Sequence, residues 1–136
     1  GLGDVYKRQS LDGAVVFIAS RNVPAPGPGA SAYSVAKAGL TQLARVASLE
    51  LGSYGVRVNV LHPDCVYDTG LWSDDVLEGR AEKYGMSVEA YKSRNILKKE
   101  VTSREVAEMV AAVAGPVFLK TTGAQIPIDG GNDRVI

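Results

Sequence analysis

The fold is decided by residues 14–37, which read AVVFIASRNVPAPGPGASAYSVAK. The first six residues are apolar and rich in β-branched side chains, a pattern typical of a strand that is buried on both faces. Residues 20–31 contain three prolines and two glycines, which exclude a regular helix or strand there. We therefore predict a central parallel strand over 14–19, followed by a loop at its carboxyl end.

A long helix and a second strand are predicted after this loop. Residues 32–53 carry apolar side chains at spacings of three and four, which indicates a helix buried on one broad face. These side chains are Val35, Leu40, Leu43, Val46, Ala47 and Leu51. Residues 56–61 alternate as a strand does, and this strand is expected to end at His62-Pro63 because proline cannot donate to a ladder.

The rest of the chain continues the alternation of elements. The polar segment 64–99, with helical patches at 73–84 and 87–95, predicts a partly exposed lid. A capping box at 102–105 then begins an amphipathic helix, which Gly115-Pro116 ends near Ala114.

The last predicted element is a short strand over 125–128, followed by the turn Asp129-Gly130-Gly131. Strands that alternate with helices of this length imply right-handed crossovers and a parallel sheet covered on both faces. The predicted fold class is therefore α/β.

Composition excludes several classes of function. The 136 residues include fifteen basic and fifteen acidic side chains, so no long-range field favours nucleic acid or an anionic membrane. The lone Cys65 cannot form an internal disulfide, and no Cys/His cluster has metal-ligand spacing. No apolar stretch approaches the roughly 20 residues of a membrane span. We expect one soluble, cytoplasmic domain, or part of one, without a metal.

The first nine residues, GLGDVYKRQ, show neither helical nor strand periodicity. Residues 4–9 resemble the translation of a transposon adapter used in sequencing libraries. We expect residues 1–9 to be a scar that is excluded from fold reasoning, with the natural coding sequence cut just before Ser10. The alternative is a solvated N-terminal loop or strand.

Three residues of the deciding stretch point to proton transfer. Tyr33 and Lys37 are four apart at the start of the predicted helix, so they lie on one face. A phenol is a poor base at neutral pH, and a nearby ammonium stabilises the phenolate. Ser20 follows a parallel strand, at the sheet edge where such folds bind ligands. Taken singly, Tyr33 and Lys37 could be a solvated surface pair, and Ser20 could be a turn residue or a helix cap.

Together these residues resemble a known family. The spacing of Ser20, Tyr33 and Lys37, between an apolar strand and a long helix, resembles that of the short-chain dehydrogenases/reductases. Residues 55–60 (GVRVNV) are similar to the family's strand before its nicotinamide loop. Residues 122–131 are similar to its closing strand and turn.

The resemblance covers residues 13–131 and implies that residues 10–136 are the C-terminal catalytic half of a Rossmann-type, doubly wound domain. It implies an NAD(P)-dependent oxidoreductase that exchanges a hydride between the nicotinamide cofactor and an alcohol or carbonyl. In that scheme Tyr33 is the general acid/base, Ser20 orients the substrate oxygen, and Lys37 stabilises the tyrosinate and binds the nicotinamide ribose. The implied cofactor contacts are Tyr33, Lys37, Pro63 and Val66.

The chain departs from the family pattern at the nicotinamide loop. Asp64 stands where the family usually has glycine, and Thr69 lies one place later than the usual threonine, which puts a role for Thr69 in doubt. The glycine-rich dinucleotide loop, the acidic residue that selects NAD over NADP and the family's asparagine belong upstream of Ser10. Asn22 does not replace that asparagine, because it falls in the proline-rich loop, where a solvated turn is predicted.

A narrower resemblance is carried by loop signatures over 62–66, 71–73, 83–85 and 120–133. They are similar to the dehydrogenase region of bifunctional rhamnulose-phosphate aldolase/short-chain dehydrogenases of the lactaldehyde dehydrogenase type. This implies an upstream aldolase domain and a sugar-derived hydroxyaldehyde or polyol substrate. The family commonly associates through the helix at 32–53, which implies a homo-oligomer. The rival hypothesis is a non-catalytic interaction module of the same fold.

Other singled-out residues have simpler interpretations. We interpret His62 as a hydrogen-bonded structural histidine and Cys65 as a small packing residue. Trp72 and Tyr84 either line the substrate pocket or pack the lid onto the body.

Overall fold

The computed structural model describes residues 13–131 of the chain. It contains a parallel three-stranded sheet in the order β1 (Ala14–Ile18), β2 (Arg57–Pro63) and β3 (Gln125–Ile128). Helices connect the strands, which confirms the α/β class and the parallel sheet. The expectation for residues 1–9 lies outside the described residues.

Strand β2 is the centre of this sheet. Val58, Val60 and Leu61 are each at most 1% exposed, so the strand is buried on both faces rather than on one. It reaches Pro63, two residues beyond the expected end. Proline lacks an N–H donor, but its carbonyl oxygen can still accept, and that of Pro63 accepts a bond from the Arg21 N–H at 3.0 Å. The ladder therefore extends to Pro63 on the side that faces the loop after β1.

Strand β1 differs from its prediction. Its bounds are as expected, but within the described part of the chain it is an edge strand that pairs only with β2. Val15 and Ile18 are each 39% exposed, so residues 13–131 do not bury both faces of this strand, which was expected to be central in the complete domain. The apolar sequence of β1 indicates that its faces are to be buried, but it does not indicate which segment buries them.

Helix α1 (Ser31–Leu51) has two apolar faces instead of one. Its inner face packs on β1 and β2, where Ala44 is 1% exposed. Val35, Leu43 and Leu49 are 73%, 57% and 83% exposed on the other side. The prediction of a single broad buried face is wrong. Apolar residues spaced three and four apart occur on the inner face and on the outer face of α1, so the spacing did not show which of them are buried.

Two short helices form the lid, α2 (Asp74–Lys83) and α3 (Val88–Lys92). They pack onto the loop after β2 through one apolar cluster. Its buried members are Cys65, Tyr67, Leu77, Ala81 and Tyr91. Trp72 packs against this cluster with its ring centroid 4.9 Å from that of Tyr67, so Trp72 holds the lid to the body. Tyr84 is 47% exposed at the lid surface.

Helix α4 (Ser103–Ala114) begins with the predicted capping box, in which Thr102 and Glu105 bind each other's backbone N–H groups. It ends at Gly115 as expected. The Arg57 guanidinium, from the amino end of β2, donates to the carbonyl oxygens of Val113 and Ala114, each at 2.8 Å. None of the helices in the described part of the chain combines the length and the apolar character that a membrane span needs.

Candidate active site

Ser20 lies at the carboxyl end of the sheet, two residues beyond β1, and is 8% exposed. Its backbone is fixed on both sides, because Ala19 N–H donates to the Leu61 carbonyl at 2.8 Å and Arg21 N–H donates to the Pro63 carbonyl at 3.0 Å. The loop after β1 therefore starts as a continuation of the ladder. This places Ser20 next to Pro63, at the edge where parallel sheets bind their ligands.

Lys37 and Tyr33 lie on the first turns of α1, above the same edge. The Lys37 ammonium donates to the carbonyl oxygen of Ile18, the last residue of β1, at 3.1 Å. Its nitrogen lies 5.9 Å from the centroid of the Tyr33 ring, within the range of a cation–π contact. Tyr33 itself is 49% exposed. The cation is thus held between the strand end and an accessible phenol.

Asn22 connects the serine loop to α1, a role that the sequence did not reveal. Its N–H donates to Ser20 Oγ at 3.1 Å, and its Oδ1 lies 2.5 Å from Ser34 Oγ. Ser34 Oγ is also 2.7 Å from the Ala30 carbonyl oxygen, which can only accept. The single hydroxyl proton of Ser34 is therefore donated to Ala30 and is not free for Asn22. Turning the Asn22 amide lets its Nδ2 donate to Ser34. The predicted turn is present at Asn22, but the expectation that it is solvated is wrong, since Asn22 is partly buried and bonded in the loop.

The loop after β2 takes an unusual backbone course. Cys65, which follows the unexpected Asp64, has φ of 59°, a left-handed conformation that costs a non-glycine residue about 1 kcal/mol. Val66 forms an isolated parallel bridge with Val101. Burial, with the charge of Asp64, raises the pKa of the Cys65 thiol. A protonated, buried thiol fits the packing role predicted for it.

Asp68 fastens the same loop to α4. Its carboxylate accepts bonds from the Ser103 N–H at 2.9 and 3.0 Å and from the Ser103 hydroxyl at 2.9 Å. These bonds lower the pKa of Asp68. Thr69, in contrast, accepts a backbone bond from Trp72 N–H at 3.1 Å, within a turn of the loop. Of the predicted cofactor contacts, Tyr33 and Lys37 lie on the first turns of α1 and Pro63 lies at the carboxyl end of β2. Val66 lies farther along the loop after β2.

Sequence reasoning missed a buried ion pair beside Ser20. Arg21 Nε lies 3.0 Å from Asp129 Oδ2, and both side chains are less than 10% exposed. The pair joins the loop after β1 to the turn after β3. Each residue is ordinary in its own segment, so only the folded topology reveals the contact.

The family described as enoyl-(acyl carrier protein) reductase matches residues 3–133 of the chain. The chain is 38% identical over 130 residues to the uncharacterized oxidoreductase YuxG of Bacillus subtilis (strain 168), covering 92% of the chain and 19% of that relative. It is 36% identical over 129 residues to 2,3-dihydro-2,3-dihydroxybenzoate dehydrogenase of Escherichia coli (strain K12), covering 92% of the chain and 51% of that relative.

Among solved structures, the chain is similar to an NADPH-bound short chain oxidoreductase of Pseudomonas aeruginosa PAO1 that contains an atypical catalytic center. The TM-score is 0.76 at 27% identity, over 99% of this chain and 51% of the other. The chain thus spans about half the length of the Escherichia and Pseudomonas proteins and about a fifth of the Bacillus one.

Proposed function

The chain belongs to the short-chain dehydrogenase/reductase family, and from this premise we propose that Ser20, Tyr33 and Lys37 are its catalytic residues. The complete protein would be an oxidoreductase that uses NAD or NADP. The observation that carries the proposal is the position of the Lys37 ammonium, which bridges the end of β1 and the Tyr33 ring.

The residues at the sheet edge fit a nicotinamide cofactor. The Lys37 ammonium has three N–H donors, and one of them goes to the Ile18 carbonyl. The other two have no acceptor within residues 13–131 and would bind ribose hydroxyls, and Pro63 offers an apolar surface at the strand end. The nicotinamide would accept or supply the hydride. NADPH in the similar Pseudomonas oxidoreductase supports a cofactor of this type.

In this mechanism the protein moves the proton at the substrate oxygen. In the oxidative direction the Tyr33 phenolate removes the proton from the substrate hydroxyl, and in the reductive direction the phenol returns it. Ser20 Oγ holds the same oxygen. Lys37 stabilises the phenolate by its positive charge. The partial exposure of Tyr33 leaves its ring accessible to a substrate.

Replacing Tyr33 tests this mechanism most directly. In the complete parent protein, Tyr33→Phe is expected to lower kcat about 10²–10⁴-fold, because the proton carrier is lost while the ring remains. The measurement is steady-state reduction of NAD or NADP followed by absorbance. Tyr54→Phe, at a 61% exposed tyrosine in the turn after α1, is the matched control and should keep the wild-type kcat. Wild-type turnover by Tyr33→Phe would falsify the assignment.

We further propose that the chain comes from a longer, two-domain protein with an aldolase domain upstream and a sugar-derived hydroxyaldehyde or polyol substrate. The length of YuxG supports this proposal. The matched region is 130 residues long and covers 19% of YuxG, whereas 129 residues cover 51% of the Escherichia dehydrogenase, so YuxG is much longer than that dehydrogenase. Amplifying the source DNA upstream of Ser10 tests both this proposal and the adapter origin of residues 1–9. An upstream sequence without an aldolase domain would refute the two-domain proposal.

We also propose that the outer face of α1 pairs with a second copy. Val35, Leu43 and Leu49 expose most of their side chains there, and a helix that is apolar on two faces needs two partners. Leu49→Ser together with Val35→Ser is expected to convert the oligomer into monomers, as measured by sedimentation. Val117→Ser, at an 85% exposed valine outside α1, is the control. An unchanged oligomer would exclude this face as the contact.

The same face supports a second function, a non-catalytic interaction module. In that case the Tyr33→Phe protein would behave as wild type in every assay, while the Leu49 and Val35 replacements would abolish partner binding. Loss of turnover in Tyr33→Phe decides for the enzyme.

A further inference from the structure

His62, on β2, binds both the loop after β1 and strand β3. Its side chain is 5% exposed and lies at the carboxyl end of β2. Nδ1 is 2.9 Å from the backbone carbonyl oxygen of Ser20, and Nε2 is 2.7 Å from the Oε1 atom of Gln125 on β3. One imidazole therefore bridges the loop after β1 and the neighbouring strand.

We infer that His62 is a positioning residue, which fixes the backbone of Ser20 through an Nδ1–H bond, and that Gln125 holds the ring at its other nitrogen. The inference rests on the proposed catalytic role of Ser20. His62 does not touch the substrate in this scheme. It acts by holding the peptide that carries the serine, so that Ser20 Oγ meets the substrate oxygen in the reactive geometry.

The hydrogen-bonding capacities of the groups select the tautomer. A carbonyl oxygen can only accept, so Nδ1 must carry a proton and donate to Ser20. In a neutral imidazole Nε2 is then an acceptor. The Gln125 Nε2 atom is buried and has no hydrogen-bond partner in the described residues. Turning that amide lets Nε2 of Gln125 donate to Nε2 of His62, which satisfies both groups.

Packing alone does not hold the ring. His62 and Gln125 border a cavity of about 390 Å³, which is also lined by Thr41 and Arg45 of α1. The ring borders this cavity on one side and is only 5% exposed, so packing and its two hydrogen bonds together set its orientation. Backbone bonds from the Ala19 and Arg21 N–H groups hold the chain on either side of Ser20, and the Val23 N–H donates to the Ser20 carbonyl at 3.0 Å. The His62 bond adds a side-chain contact to that same carbonyl and so fixes the tilt of the Ser20 peptide.

Two variants of nearly the same shape test the inference in the complete parent protein. His62→Leu removes both bonds, and His62→Asn keeps an amide that can donate to the Ser20 carbonyl. His62→Leu is expected to lower kcat about 10²-fold with little change in KM, since a small misplacement of a catalytic group costs about that much. His62→Asn should recover most of the lost kcat. Equal kcat values for the two variants would overturn the inference.

The tautomer is measured independently of activity and of these variants. His62 is the single histidine of the 136 residues, so selective 15N-histidine labelling of this chain gives one imidazole signal pair. Long-range 1H–15N correlation should show a proton on Nδ1 and none on Nε2. Gln125→Met removes the hydrogen-bond partner of His62 Nε2 and should therefore shift the 15N signal of that nitrogen. A proton on Nε2 alone would overturn the inference.

Tyr33→Phe separates the two ideas. If Tyr33→Phe loses turnover while His62→Leu keeps the wild-type kcat, only the role of His62 fails. If Tyr33→Phe keeps its turnover, the catalytic proposal fails as well, and with it the reason for positioning Ser20.

Discussion

The two ends of β2 carry buried polar side chains that serve different purposes. At the amino end, the Arg57 guanidinium donates to backbone carbonyls at the end of α4 and in the turn that follows. Also there, Asn59 binds the Thr121 carbonyl and the Ala124 N–H. At the carboxyl end, His62 binds the peptide of Ser20. Buried polar side chains thus stabilise the fold at the amino end of β2, whereas His62 orients the proposed catalytic serine at the carboxyl end.

Helix α4 shows the same contrast in its two caps. Its C-terminal carbonyls meet a buried cation, Arg57, whereas its N-terminal N–H groups meet exposed oxygens of Asp68, Thr102 and Glu105. Both arrangements complement the helix dipole. Solvent can replace the exposed acceptors but not the buried donor, so the two ends should differ in their contribution to stability.

Arg57→Met is the largest expected perturbation. It leaves the carbonyl oxygens of Val113 and Ala114 without their donor in a buried place, and should lower the free energy of unfolding by about 3 kcal/mol. Equilibrium unfolding in urea measures the change. KM and kcat per folded molecule should stay at wild-type values, because the residue lies at the opposite end of the strand from Ser20.

Arg45→Met is the matched control for Arg57→Met. Arg45 is exposed on α1, with one long contact of 3.4 Å to Gln42, so its replacement should change stability by less than about 0.5 kcal/mol. Similar losses for the two variants would contradict the idea that the amino end of β2 owes its stability to this buried cap.

Thr102→Ala is expected to have an intermediate effect. It removes the side-chain oxygen that accepts the Glu105 N–H at 3.2 Å, and loss of such a cap costs about 1 kcal/mol. Thermal unfolding measures it. Ser53→Ala, in the exposed turn after α1, is the control and should have no effect. A loss for Thr102→Ala as large as that for Arg57→Met would remove the contrast between the two ends of α4.

Local signals predicted the elements of the fold well. The capping box at Thr102, the stop at Gly115 and the strand at 125–128 occur as expected, because each depends on neighbours in the chain. The same local signals could not separate the two apolar faces of α1. Hydrophobic spacing records that Val35 is apolar but not whether the sheet or another surface covers it.

Partners of buried polar groups could not be predicted in this way. Arg57 binds a carbonyl 56 residues later, and His62 contacts an amide 63 residues later. In the sequence, Arg57 looked like the polar position of an alternating strand. The spacing of Tyr33 and Lys37 did predict their proximity, since a helix places residues four apart on one face.

Asp68→Asn should give the smallest effect, and one that depends on pH. Hydrogen bonds from Ser103 lower the folded-state pKa of Asp68, so its ionised form stabilises the fold above the unfolded value near 4. That contribution is lost as pH falls through the folded pKa. The variant should therefore be less stable than wild type at pH 7, and the difference should shrink on acidification. Urea unfolding at several pH values measures it, with Glu78→Gln on α2 as the control. A difference that stays constant with pH would mean that the Asp68 charge contributes nothing and that Asp68 acts on α4 only as a neutral hydrogen-bond partner of Ser103.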